Sequence, residues 1–198
     1  MTRKRAENKH KKSYKKNYNK IILVILMIIV LAISSVATVL YQPTKKEKEE
    51  KDNYGKWLFA MDTANVQYKY DAKGIPTIVI IDKKGEYVFY SSGAQFKEQL
   101  DPYIDSALNG SAESYGEVPD FTVTTFDNQK FTLSEYKGKV VIIDIMGVGC
   151  PPCEMQMPEL QKIKKERGDE ITIISIDTYY SGETKQDVIN TYSQYIKT

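Results

Sequence analysis

The 198-residue chain holds only two cysteines and one histidine. Two cysteines cannot build a disulfide framework or a four-thiolate zinc site. His10 sits in a basic arm ahead of a long apolar run, so it cannot serve a site built beyond that run. A Ser-His-Asp triad and a Cys-His pair are therefore excluded from the part that follows. Histidine-ligated zinc or copper is disfavoured there too, and neither a metal nor a cofactor is expected. With 41% hydrophobic and 27% charged residues, the chain is neither a disordered polymer nor wholly membrane-buried. What remains is chemistry done by the two cysteines, or binding.

Charge of either sign is missing between Lys20 and Lys45. Residues 1–20 carry nine Lys/Arg against the single acid Glu7, whereas the remainder is net acidic with 19 basic and 25 acidic residues. Because the arm abuts the apolar run Ile21–Tyr41, it reads as a membrane signal and no nucleic-acid partner is expected. At roughly 1.5 Å per residue those 21 residues span about 31 Å, enough to cross a bilayer once. A cleaved signal peptide is the alternative, with Ser35-Val36-Ala37 as a small-residue site. Either way the arm stays cytoplasmic and everything after Tyr41 lies outside, where disulfides persist. Residues 42–54 follow as a charged linker.

Beyond the linker, strands and helices alternate, which indicates an α/β class. Trp57–Ala60 reads as a short strand, with Asp62 capping a brief helix over 64–70. Thr77–Asp82 is a β-branched run expected to be buried on both faces. Lys83-Lys84-Gly85 turns it into an antiparallel partner, Glu86–Ser91. A helix within 95–108 is expected to begin at Asp101, with Pro102 as first helical residue. Phe121–Phe126 and Lys130–Leu133 suggest a hairpin. Val140–Met146, a helix over 151–166 and Ile171–Asp177 make a βαβ unit. An amphipathic helix over 183–197 closes the chain.

The chemistry concentrates in Cys150-Pro151-Pro152-Cys153, where a strand runs into a helix. Two cysteines at this spacing close a small ring, and the first faces the positive helix end, which stabilises a thiolate. Cys150 would attack and Cys153 would resolve. Haem attachment would need histidine at 154, which is Glu154. A static structural disulfide stays open, although so short a loop removes little unfolded-state entropy.

Val140–Asp177 resembles the active-site half of a membrane-anchored, thioredoxin-fold thiol-disulfide oxidoreductase of the TlpA/ResA type. The match runs through the strand, the CPPC motif and Met157-Pro158-Glu159-Leu160, with Pro158 where the family has a kinking proline. Asp144, six residues before Cys150, resembles the buried carboxylate of thioredoxins, which implies a proton-transfer role toward Cys153. Gly74-Ile75-Pro76-Thr77 resembles the cis-proline loop, which implies substrate binding by Ile75, Pro76 and Thr77. Met146 and Gly149 stand where the family usually has tryptophans. The order is also reversed, since the cis-proline half (55–110) precedes the CPPC half (119–198). The implied fold is a circularly permuted thioredoxin-like domain over 55–198, behind one N-terminal transmembrane helix; a swapped dimer is the alternative.

Two functional classes stay open. One is a tethered enzyme that reduces or exchanges disulfides in exported proteins, apocytochromes among them, with electrons from a membrane donor. The other is a tethered binding module with an inert disulfide.

Overall fold

The computed structural model describes residues 53–197 without interruption, together with residues 23, 25–31, 44, 47, 48 and 51. The chain divides into two units, Met1–Glu49 and Glu50–Thr198. In the first, residues 25–31 are helical, with Leu26, Met27, Ile28 and Val30 exposed. Among the described residues no helix is long and apolar enough to cross a membrane. The basic arm and most of the expected span 21–41 and linker lie outside the described residues.

The second unit is built on a five-stranded mixed sheet. Its strands are β1 (Leu58–Met61), β2 (Thr77–Ile81), β3 (Tyr87–Ser92), β6 (Val140–Met146) and β7 (Ile171–Asp177), in the order β1-β7-β6-β2-β3. β1 and β6 run parallel to β7, while β2 is antiparallel to β6 and β3 to β2. Every residue of β2 and β6 is buried, because both faces of these inner strands are covered. Alternation along β6 sorts its side chains into two cores. Val140, Ile142 and Met146 pack with residues of α2 (Lys97–Asn109), α3 (Pro151–Arg167) and α4 (Lys185–Tyr192). Val141, Ile143 and Ile145 pack on the opposite face, under the hairpin of β4 (Thr122–Thr124) and β5 (Lys130–Thr132) and the short helix α1 (Val66–Lys69). Truncating a central residue such as Ile142 to alanine would cost about 2–5 kcal/mol.

Four local expectations need correction. α1 begins after Asn65, yet Asp62 still caps it: its two carboxylate oxygens accept from the Val66 and Gln67 amides at 2.6 and 2.9 Å. α2 begins at Lys97, so Pro102 lies inside the helix and Asp101 is no cap. The start is set by tertiary contact, because Glu159 of α3 accepts from the Lys97 amide at 3.0 Å. α4 stops at Tyr192, short of the expected 197. The residues beyond it pair with Trp57 instead: the Trp57 amide donates to Tyr195 O and the Lys197 amide to Trp57 O, each at 2.9 Å. β1 itself is Leu58–Met61, one residue later than expected.

Candidate active site

β6 delivers the chain to the cysteines. It ends at Met146, and Gly147-Val148-Gly149 turn it into α3, whose N-cap is Cys150. Gly149 has φ +74°, a left-handed conformation that glycine adopts without strain. Gly147 is needed for room, since a Cβ there would stand 2.5 Å from the Tyr180 Cβ and 3.2 Å from the Ile75 Cδ1.

Pro151 and Pro152 occupy the first two helical positions, where a missing N–H costs little. The first amide that α3 can offer is therefore that of Cys153, and it donates to Cys150 Sγ at 3.2 Å. Cys150 and Cys153 form a disulfide with their Cα atoms 5.2 Å apart. Cys150 is 4% exposed and Cys153 fully buried. After reduction, the same amide and the helix N-terminus would favour a thiolate on Cys150. Pro158 lies within α3, which continues through it to Arg167.

The 74–77 loop meets the disulfide from the other side. The Ile75-Pro76 peptide is cis, and the Ile75 carbonyl oxygen lies 3.7 Å from Cys150 Sγ. Register explains the meeting, since Thr77 pairs with Ile145 near the end of β6. The loop is pinned by Thr77 Oγ1, which donates to Gly74 O at 2.6 Å and lies 2.9 Å from Ser92 Oγ. The Gly93 amide adds a bond to Pro76 O at 2.7 Å.

Asp144 is fully buried on the face of β6 that α3 covers, flanked by Ile142 and Met146 of the same core as Cys150 and Cys153. Its Oδ2 accepts from Ser175 Oγ at 2.7 Å, and Oδ1 has no partner among the described residues. Burial, opposed by the Ser175 hydrogen bond, raises its pKa from 3.8 to about 7.

A second buried acid group flanks the cysteine loop, and the sequence reading missed it. Glu183 accepts from the Val148 amide at 2.9 Å and from the Ser181 amide at 2.7 Å, tying the segment after β7 to the turn before Cys150. Burial opposes the charge on Glu183, yet its own amide and those of Val148 and Ser181 outweigh that and hold its pKa low. Burial foremost, with the neighbouring Glu183 adding to it, raises Asp177 to about 7. The only sequence signal was Asp177 closing a strand as apolar as the one that holds Asp144.

Gln156, also missed, is buried one turn into α3. Its side chain accepts from the Gln95 amide at 2.6 Å and donates to Gln95 O at 3.1 Å. Together with Glu159 it fastens the start of α2 to the cysteine helix. Among the described residues no group of three or more His, Cys, Asp or Glu is placed to hold a metal ion.

Comparison with known proteins places residues 116–195 in a match to the AhpC/TSA family. The chain is 39% identical over 82 residues to the thiol-disulfide oxidoreductase ResA of Bacillus anthracis, covering 40% of this chain and 44% of that protein. It is 38% identical over 74 residues to ResA of Geobacillus kaustophilus, covering 36% and 40%. It is 27% identical over 77 residues to the thioredoxin-like protein YneN of Bacillus subtilis, covering 39% and 45%. The chain thus spans less than half the length of these curated relatives. No solved structure matches it. The mixed α/β sheet is consistent with a thioredoxin-like fold, and the part of the chain that holds Cys150 and Cys153 is similar to the AhpC/TSA family.

Proposed function

We propose that the chain is a membrane-tethered, extracytoplasmic thiol-disulfide oxidoreductase that reduces or exchanges disulfides in exported proteins. The observation that carries this reading is the Cys150–Cys153 disulfide at the head of α3, with the cis-Pro76 loop against it. A static crosslink requires no such loop. In the reduced enzyme the Cys150 thiolate attacks a substrate disulfide, and one substrate sulfur leaves as a thiolate and is protonated. Cys153 then gives its proton to Asp144 and attacks Cys150 Sγ. The second substrate thiolate is released and Cys150–Cys153 re-forms. Two electrons pass from the cysteine pair to the substrate, and a membrane donor returns two. Extended substrate backbone would lie along Ile75–Thr77, where Pro76 presents no N–H.

Tethering is supported by the helical residues 25–31, whose apolar side chains are exposed, and by the nine Lys/Arg before Ile21. The permuted order is supported by the meeting of the two halves at Trp57 and Tyr195–Lys197. The family match, limited to 116–195, also fits a CPPC half that stands apart in the sequence. Apocytochromes are one class of exported substrate this chemistry would suit.

The test is a redox titration of the full chain in glutathione buffers, followed by turnover on a protein disulfide. Reversible cycling of Cys150–Cys153 with turnover is expected. A pair that stays oxidised throughout, without turnover, would contradict the proposal and leave a binding module with an inert disulfide.

A further inference from the structure

Asp144 belongs to a three-residue hydrogen-bonded chain. Trp57 Nε1 lies 2.9 Å from Ser175 Oγ, and Ser175 Oγ lies 2.7 Å from Asp144 Oδ2. All three residues are 1% exposed or less. They come from distant parts of the sequence: Trp57 precedes β1, Ser175 is on β7 and Asp144 on β6, with Asp144 and Ser175 paired in register.

The direction of these bonds follows from donor chemistry. An indole N–H only donates, so the Ser175 oxygen must accept from Trp57. The one hydroxyl hydrogen of Ser175 is then left for Asp144, whose Oδ2 must accept it. If Asp144 carried its proton on Oδ2, that oxygen would have to donate back to Ser175. The Ser175 hydrogen would then be stranded in a buried site. Oδ1, in contrast, has no partner among the described residues.

We propose that Ser175, itself oriented by Trp57, is a positioning residue that assigns the exchangeable proton of Asp144 to Oδ1 and, by donating to Oδ2, stabilises the carboxylate. This rests on the reading of Asp144 as the group that takes the Cys153 proton. Before attack, Cys153–SH and the Asp144 carboxylate become a Cys153 thiolate and an acid protonated at Oδ1. Oδ2 stays a hydrogen-bond acceptor throughout. Ser175 favours the ionised acid, without which burial would lift Asp144 further and leave too little base at neutral pH. Of the titratable groups, Tyr192 of α4 senses the Asp144 charge, and through Tyr192 the site is linked to Glu154, Asp177 and Glu183; Cys150 at the cap of α3 and Cys153 within it share the same core.

The test needs no turnover. The carboxylic-acid C=O band of Asp144, identified by its loss in Asp144→Asn, is followed by infrared pH titration of the oxidised full chain. Ser175→Ala is expected to move its midpoint up by about one pH unit, the scale of a lost hydrogen bond to an ionised group. Ser175→Thr should restore it. Trp57→Phe keeps the ring but frees the Ser175 hydroxyl, and should move the midpoint in the same direction by less. An unchanged midpoint in both Ser175→Ala and Trp57→Phe would overturn the proposal. A moved midpoint with an unaltered resolving rate would uphold the action of Ser175 on Asp144 while removing Asp144 from the mechanism.

Discussion

The Ile75 carbonyl oxygen lies 3.7 Å from the sulfur of Cys150, across 75 positions of sequence. The antiparallel register of β2 on β6 creates this contact, because Thr77 opposite Ile145 leaves Ile75 and Pro76 at the level of the turn that leads to Cys150. In the proposed reaction, a substrate disulfide that reaches Cys150 would therefore meet the Ile75–Thr77 backbone at the same moment.

Burial of Asp144 gives stability a pH dependence with a definite sign. Its ordinary value is 3.8 and its folded value about 7. Between those values the unfolded chain has lost a proton that the folded chain keeps. Stability therefore falls as pH rises through that window, by about 1.4 kcal/mol per pH unit for this one group, and levels off above it. Asp144→Asn should flatten the slope, with Asp177 supplying what remains. Denaturant unfolding of the oxidised protein at several pH values checks this; an unchanged slope in the variant would show that Asp144 is not held protonated.

Gly147→Ala should destabilise the domain by about 1–3 kcal/mol, because the added methyl meets the Tyr180 Cβ at 2.5 Å. It should also disturb the Val148 amide held by Glu183, so the reactivity of Cys150 should change with it. Denaturant unfolding and thiol labelling measure the two effects. A variant as stable and as reactive as the parent would show that the strap after β7 has no bearing on the cysteine loop.

A fragment of residues 119–198 lacks β2, the antiparallel neighbour of β6, and exposes an all-buried strand as a raw edge. It should be unfolded or aggregated alone and recover structure when residues 51–110 are added in trans. Circular dichroism and denaturant melts decide this, and a cooperative transition for the fragment alone would rule out interdependent halves.

The apolar segment and basic arm predict an orientation. Protease added to right-side-out vesicles should digest the domain and spare the arm. Protection of the domain would reverse the assignment.

Much of the sheet was legible because Thr77–Asp82, Val140–Met146 and Ile171–Asp177 are β-branched runs that only a doubly covered strand accommodates. The CPPC pair was legible from spacing and its strand-to-helix position. Helix ends were less so: α2 starts where Glu159 caps it from another helix, and α4 stops where Tyr195–Lys197 pair with Trp57. Glu183, Gln156 and Ser175 were not legible at all. Each is an ordinary polar residue in sequence, and its role exists only through a partner 31 or more positions away.

The most direct test of the cysteine roles is trapping in the full chain. With Cys153→Ser, resolution is lost and Cys150 should accumulate a mixed disulfide with a protein substrate; with Cys150→Ser, none should form. Alkylation of the reduced parent near pH 6 should label Cys150 before Cys153, since Cys150 caps α3 while Cys153 is fully buried. Trapping by the Cys150→Ser variant, or faster labelling of Cys153, would contradict the account.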